Sequence, residues 1–135
     1  MNRGERDELG LRQEYTICRV EALWRHSPAA RAAVRSAVVH AGIEDPGVAS
    51  ASQMYELAVS LFDLDGAYPQ AEHEARVMHA RLRGTAIARG GGTIRDATKF
   101  ARDWLPDMSD ELLDAWKVEQ SRAPLEGAQA TKDHR

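Results

Sequence analysis

Helix-breaking residues divide this chain into six stretches, and the division constrains the fold more than any other feature of the sequence. Pro28, Gly42, Pro69, the run Gly90–Gly92 and Pro106 interrupt segments in which apolar residues recur with helical spacing. That spacing is typical of amphipathic helices, and no stretch shows a convincing strand pattern. The pattern predicts helices over about residues 6–25, 29–41, 52–64, 70–89, 93–105 and 109–120.

The fold class that follows is all-α, with a single-domain bundle of five or six helices. The length of 135 residues fits one domain. We assign residues 1–120 to the helical domain. Residues 121–135 are polar, contain Pro and Gly and have no period, so we expect a flexible C-terminal tail.

The third predicted helix ends in a segment that invites a catalytic interpretation. Phe62-Asp63-Leu64-Asp65-Gly66 resembles the nucleophile motif of the haloacid-dehalogenase-like phosphatases. In that family the first aspartate attacks phosphate and the second acts as general acid or base, with Mg²⁺ as the cofactor. In that family the motif lies at the end of a parallel β-strand. The spacing of the apolar residues in this segment is instead typical of a helix. We expect a helix C-terminus with Gly66 left-handed, and a buried face made of Met54, Leu57, Ala58, Leu61 and Phe62.

The cysteine, histidine and hydropathy patterns exclude several classes of protein. The single Cys18 cannot form an internal disulfide or a multi-cysteine zinc site, and it fits a reducing compartment. His73 and His79 are too far apart for a zinc-binding helical pair. No apolar run is long enough to cross a bilayer, and no signal peptide is evident. We therefore expect a cytoplasmic protein with no metal, no cofactor and no membrane partner.

Arg35 and His40 are separated by four residues, a spacing seen in HEPN-type ribonucleases. Those ribonucleases are small helical domains, so the predicted architecture permits the resemblance. A chain rich in arginine produces such spacings readily by chance. We keep a HEPN-like ribonuclease as a second alternative and expect the protein not to be an enzyme.

Charge is segregated along the chain although the net charge is only −3. Residues 43–74 contain seven acids and no Lys or Arg, and residues 103–119 contain six acids and one Lys. Between them, residues 76–102 contain seven bases and one acid. Arg95, Lys99 and Arg102 fall within a sector about 60° wide on the fifth helix.

The glycine run before the fifth helix adds a second argument for anion binding. A glycine-rich entry to a helix can expose backbone N–H groups to a phosphate. We therefore predict a nucleic-acid or phosphate site made of Arg76, Arg83, Arg89, Gly91, Gly92, Thr93, Arg95, Lys99 and Arg102.

The function we predict is a small non-enzymatic helical binding protein, a regulator or accessory factor that contacts nucleic acid through residues 76–102. The alternative is a helical interaction or oligomerisation module that uses complementary charged faces. Under either hypothesis the partners are nucleic acid or a protein, and we expect a homo-oligomer. The pattern does not distinguish DNA from RNA.

Overall fold

The computed structural model describes the backbone of residues 3–133 and the side chains of residues 8, 10–45 and 47–122. It confirms the all-α class, because these residues form six α-helices and two short 3₁₀ turns, and no strand lies among them. The α-helices are α1 (Arg3–His26), α2 (Pro28–His40), α3 (Ala51–Ala67), α4 (Pro69–Arg89), α5 (Ile94–Trp104) and α6 (Ser109–Asp133). The 3₁₀ turns are Pro46–Val48 and Pro106–Met108.

The chain forms two compact units, Met1–Arg76 and Val77–Arg135. Helix α4 contributes residues 69–76 to the first unit and residues 77–89 to the second. The single domain predicted over residues 1–120 stays a prediction, since two compact units can still unfold together.

The last helix extends beyond its predicted end near Gln120, because α6 continues to Asp133. The flexibility predicted for residues 121–135 stays a prediction, and the side chains beyond Arg122 lie outside the described residues. Within the described part of the chain, no helix is both long and apolar enough to cross a bilayer.

In the first unit, α1, α2 and α3 pack against one another. Each contributes a stripe of small or aliphatic side chains, and burial of this apolar surface is the main term that stabilises such a unit. Leu23, Val34 and Leu61 are the largest side chains that are almost completely buried there. Ser27 caps the N-terminus of α2, because its hydroxyl accepts a hydrogen bond from the N–H of Ala30 at 3.1 Å.

A buried ion pair links α1 to α3 in this unit. The Nη2 of Arg19 lies 2.6 Å from Oδ2 of Asp65, and its Nε donates to Oδ1 at 3.3 Å. The two side chains are 8% and 20% exposed. Burial raises the pKa of Asp65, and the neighbouring Arg19 offsets this only in part. The bidentate geometry therefore holds two helices together at a substantial desolvation cost.

The same pair explains the Asp-Leu-Asp-Gly motif. Both aspartates lie inside α3, so the segment is helical, and Asp65 is a structural partner of Arg19. The expectation that Gly66 is left-handed is wrong, because Gly42 and Gly91 are the glycines with positive φ in the described chain. Instead α3 continues through Gly66 to Ala67, and its C-cap is Tyr68, whose N–H donates to the carbonyl of Leu64 at 2.9 Å. The residue before a proline is biased away from helical conformation, so Pro69 sets this boundary.

Phe62 is not part of the buried face that its spacing predicted, because 74% of its surface is exposed. The buried side of α3 consists of Met54, Leu57 and Leu61. Phe62 lies about 100° around the helix from Leu61 and faces solvent.

The second unit has a core rich in alanine. Ala80, Ala97, Ala101, Met108 and Leu112 form one buried cluster, drawn from α4, α5, the second 3₁₀ turn and α6. Small side chains let helix backbones approach closely. A Cβ built on Gly84 would lie 2.0 Å from the carbonyl oxygen of Leu112, so α4 and α6 cross where only glycine fits.

Candidate nucleic-acid interface

The three predicted cations of α5 lie together on its exposed face. Arg95, Lys99 and Arg102 are all exposed, while Ala97 and Ala101 on the opposite side are buried. At helical spacing the three bases occupy a sector about 60° wide. The sequence prediction that these side chains share one helical face is consistent with the helix bounds of α5.

The ion pairing of these cations differs along α5. Arg95 and Lys99 have no carboxylate partner among the described side chains. The Nε of Arg102 donates to Oδ1 of Asp103 at 3.1 Å, and the two side chains are 72% and 44% exposed. A surface pair of this kind contributes at most about 1 kcal/mol, so water or a phosphate can displace it readily.

The glycine turn has a structural role that the sequence did not indicate. The N–H of Gly92 donates to the carbonyl of Ile87 at 2.8 Å, and that of Gly91 to Ala88 at 3.1 Å. With Gly91 at φ +82°, these two bonds form a Schellman motif that ends α4. The two amides predicted to hold a phosphate are therefore already donating within the chain.

Gly92 is further held by its neighbours. A Cβ at this position would lie 2.5 Å from Cγ2 of Ile87, so a larger residue would collide with it. The carbonyl of Gly92 accepts a hydrogen bond from the indole Nε1 of Trp116 at 2.9 Å. The turn is thus fixed against α6 by side-chain contacts.

Thr93 caps the N-terminus of α5 and forms a capping box with Asp96. The Thr93 hydroxyl accepts from the N–H of Asp96 at 3.2 Å, and Oδ2 of Asp96 accepts from the N–H of Thr93 at 2.9 Å. This capping box gives hydrogen-bond acceptors to backbone N–H groups at the start of α5 and places a carboxylate there. That carboxylate disfavours a second anion at the same helix end.

The remaining predicted cations lie on α4, where they are placed differently from those of α5. The Nε of Arg89 donates to Oε1 of Glu119 at 2.9 Å, and the Glu119 side chain is only 9% exposed. Arg83 is half-buried, and Arg76 is half-buried within the first unit. Arg89 is thus exposed but paired with a carboxylate, and Arg83 and Arg76 are less exposed than the cations of α5.

A groove between α4 and α6 mixes both signs of charge. Its volume is about 500 Å³, and its lining includes Arg81, Arg89 and Arg122 together with Glu111, Asp114 and Glu119. Arg81 was not among the predicted site residues, although it belongs to the same basic segment of the sequence. Acids opposite these bases make the groove a poor site for a polyanion.

Two further arginines lie in the first unit. The guanidinium carbons of Arg31 and Arg35 are 5.2 Å and 5.3 Å from the ring centroid of Trp24, within cation–π range. His40 is exposed in the last turn of α2. Five residues along a helix correspond to about 140° of rotation, so Arg35 and His40 point to different sides of α2. This placement does not favour a joint catalytic site.

Metal chemistry receives no support from the described side chains. Among them no group of three or more His, Cys, Asp or Glu residues could hold a metal ion. Burial raises the pKa of the Cys18 thiol to about 11, so this thiol is protonated at neutral pH and a poor nucleophile.

Comparisons with protein-family models, with curated proteins and with solved structures found no match to this chain. What the site can do chemically follows from its charges: exposed guanidinium and ammonium groups bind phosphate oxygens through charge-assisted hydrogen bonds.

Proposed function

We propose that this chain is a non-enzymatic helical binding protein that contacts the phosphate backbone of nucleic acid through the exposed face of α5. The observation that carries the proposal is the pair Arg95 and Lys99, which are exposed and lack a carboxylate partner among the described side chains. Arg102 extends the same face by one turn. Cations that do not contact acids keep their full field for an incoming polyanion.

The proposed site is smaller than the one predicted from the sequence. It retains the three bases of α5 and assigns Gly91, Gly92 and Thr93 to holding the helix rather than to ligand contact. Because three cations neutralise few phosphates, we expect weak binding with little sequence preference, in the range of about 10⁻⁴–10⁻⁶ M. A cytoplasmic location belongs to the same proposal and is supported by the single reduced Cys18.

Salt dependence of binding tests this proposal most sharply. A short fluorescent duplex DNA and a single-stranded RNA are each titrated with the full chain over a range of salt concentrations. Each phosphate contact contributes about −0.9 to the slope of log K against log salt for duplex DNA. We expect the R95Q/K99Q variant to weaken binding and to make that slope less negative by about 1.8.

A charge-matched control separates location from net charge. R12Q/R25Q also removes two positive charges, from exposed arginines that pair with Glu8 and Glu21 in the first unit. We expect this variant to bind nearly as the unsubstituted chain does. Equal loss in both variants, or no loss in either, contradicts the α5 assignment.

The oligomerisation alternative is tested on the same samples. Light scattering reports whether R95Q/K99Q changes the molecular mass of the protein. A change of mass without a change in nucleic-acid binding would favour the hypothesis that α5 contacts a complementary acidic face of another chain.

A further inference from the structure

Helix α3 presents an apolar stripe to solvent on the side opposite its core. Tyr55, Val59 and Phe62 follow one another at i, i+4 and i+7 and are 67%, 52% and 74% exposed. At helical spacing they occupy one sector about 60° wide. Single exposed apolar side chains are ordinary, but a continuous stripe of large ones marks a surface that binds a partner.

The stripe has an acidic edge. Glu56 and Asp63 are exposed, lie on the same side of the stripe and have no ion-pair partner among the described side chains. The whole segment 43–74 contains no Lys or Arg that could neutralise them. A partner that covers the stripe therefore gains most if it places cations along this edge.

Charge argues against pairing of α3 with α3 of a second copy. In an antiparallel, two-fold symmetric pair of helices, a flank of one helix lies beside the equivalent flank of the other. Glu56 and Asp63 of both copies would then line the same edge of the interface. Like charges brought together in this way oppose association.

The cationic helix of a second copy is also a poor match. The apolar residues in the middle of α5, Ala97 and Ala101, are buried in their own unit. The exposed middle of α5 is polar and cannot cover three large apolar side chains with apolar surface.

We propose that this α3 face, consisting of Tyr55, Val59 and Phe62 with Glu56 and Asp63 at its edge, binds an amphipathic helix of another protein. The bound helix carries an apolar ridge at i, i+4 and i+7 spacing and Lys or Arg along one side of that ridge. Recognition of this kind combines apolar anchors with a complementary charged rim. The proposal goes beyond the nucleic-acid contact, because it concerns a different helix and a different class of partner.

The test uses the full chain and a synthetic helical peptide of leucine and lysine, labelled for fluorescence anisotropy. A matched peptide of leucine and glutamate serves as the second probe. We expect V59S/F62S to weaken binding of the lysine peptide by about thirtyfold or more, as loss of interface anchors does. E56Q/D63N should weaken binding severalfold and reduce its salt dependence, because it removes only the charged edge.

V39S/V118S is the matched control, since Val39 and Val118 are also exposed, at 71% and 55%, but lie on α2 and α6. We expect this control to leave peptide affinity unchanged, and all three substituted chains to keep their helical circular dichroism, because every altered side chain is exposed.

Three results overturn the proposal. The first is peptide affinity that V59S/F62S and V39S/V118S alter equally, and the second is equally tight binding of the glutamate peptide. The third is a dimer in light scattering that V59S/F62S converts to a monomer, because the occupant is then a second copy. Loss of peptide binding with unchanged nucleic-acid binding supports the α3 proposal independently of the α5 site.

Discussion

The two units of this protein expose different kinds of side chain on α3 and α5 and contain different contacts between their helices. The first unit buries the Arg19–Asp65 ion pair and leaves the apolar stripe of α3 in solvent. The second unit packs small apolar residues closely and leaves the cations of α5 in solvent. Because an apolar acidic face and a cationic face suit different ligands, the comparison favours two separate binding surfaces on one small chain.

The difference also concerns how each unit is held together. In the first unit a charge pair links α1 to α3, and in the second a glycine lets α4 and α6 approach. A buried pair fixes geometry through hydrogen bonds, whereas a close crossing fixes it through steric fit. Substitutions that break the ion pair and substitutions that enlarge the glycine should therefore destabilise the protein for different reasons.

The largest expected effect is the loss of the ion pair in the first unit. D65N leaves the Arg19 guanidinium, which cannot deprotonate, buried without its counter-charge. We expect the free energy of unfolding to fall by about 3 kcal/mol, measured by urea denaturation. D63N is the control from the same motif, because Asp63 is exposed, and its expected change is within about 0.5 kcal/mol. Equal effects would mean that the pair does not stabilise this unit.

R19M should be less damaging than D65N and should respond to pH. The Asp65 carboxyl, whose pKa is already raised by burial, can take up a proton when Arg19 is absent. Because its folded pKa lies above its unfolded pKa, stability should increase as the pH falls through the raised folded value towards the unfolded value. Urea denaturation of R19M at several pH values checks this sign, and falling stability over the same range would contradict it.

Next in size is the steric test of the second unit. G84A places a methyl group against the carbonyl of Leu112, and we expect a loss of about 2 kcal/mol from the forced backbone shift. Gly66 in α3 offers a contrasting glycine, because a Cβ added there would have no other atom within 4 Å. G66A should be neutral or stabilise by up to about 0.5 kcal/mol, because alanine favours helix. Thermal unfolding gives the Tm of both variants, and similar Tm values would contradict the close crossing of α4 and α6.

A smaller effect is expected at the start of α5. T93A removes the hydroxyl that accepts from the N–H of Asp96, with an expected loss of about 1 kcal/mol. Thr98 is the control on the same helix, since its hydroxyl donates to the carbonyl of Ile94, which is already within the helix. T98A should change the free energy of unfolding by no more than about 0.5 kcal/mol. The cap assignment fails if T98A is the more damaging substitution.

The smallest effect at neutral pH concerns the buried thiol of the first unit. Cys18 has a pKa raised to about 11 by burial, above the value of the unfolded thiol. Its contribution to stability is therefore complete at neutral pH and is lost as the pH rises through the alkaline range towards that value. Compared with C18A, the natural chain should lose more stability between neutral pH and about pH 10. Parallel pH profiles for the two proteins would refute the role given to burial.

Much of the architecture could be predicted from the sequence because it depends on local signals. Pro28, Gly42 and Pro106 lie at helix boundaries, and the Thr93–Asp96 capping box forms as its spacing indicates. Such signals act within a few residues and need no tertiary context. The predicted end of α3 was less accurate, because the helix continues through Gly66 and stops shortly before Pro69.

The details of the site depended on contacts between distant residues, which the sequence pattern does not encode. Helical spacing placed Phe62 with the core, but Met54, Leu57 and Leu61 occupy a competing stripe that the neighbouring helices cover. The pairing of Arg89 with Glu119 joins residues 30 positions apart. The three glycines were equally ambiguous, because a Schellman motif and an anion-binding turn need similar residues.

Binding of one labelled nucleic acid to two variants tests the separation of surfaces most directly. We expect R95Q/K99Q, altered in the second unit, to lose affinity and to show a flatter salt dependence than the unsubstituted chain. We expect V59S/F62S, altered in the first unit, to bind that nucleic acid as tightly as the unsubstituted chain does. Unchanged affinity in R95Q/K99Q, or an equal loss in V59S/F62S, would contradict the assignment of the phosphate contact to α5.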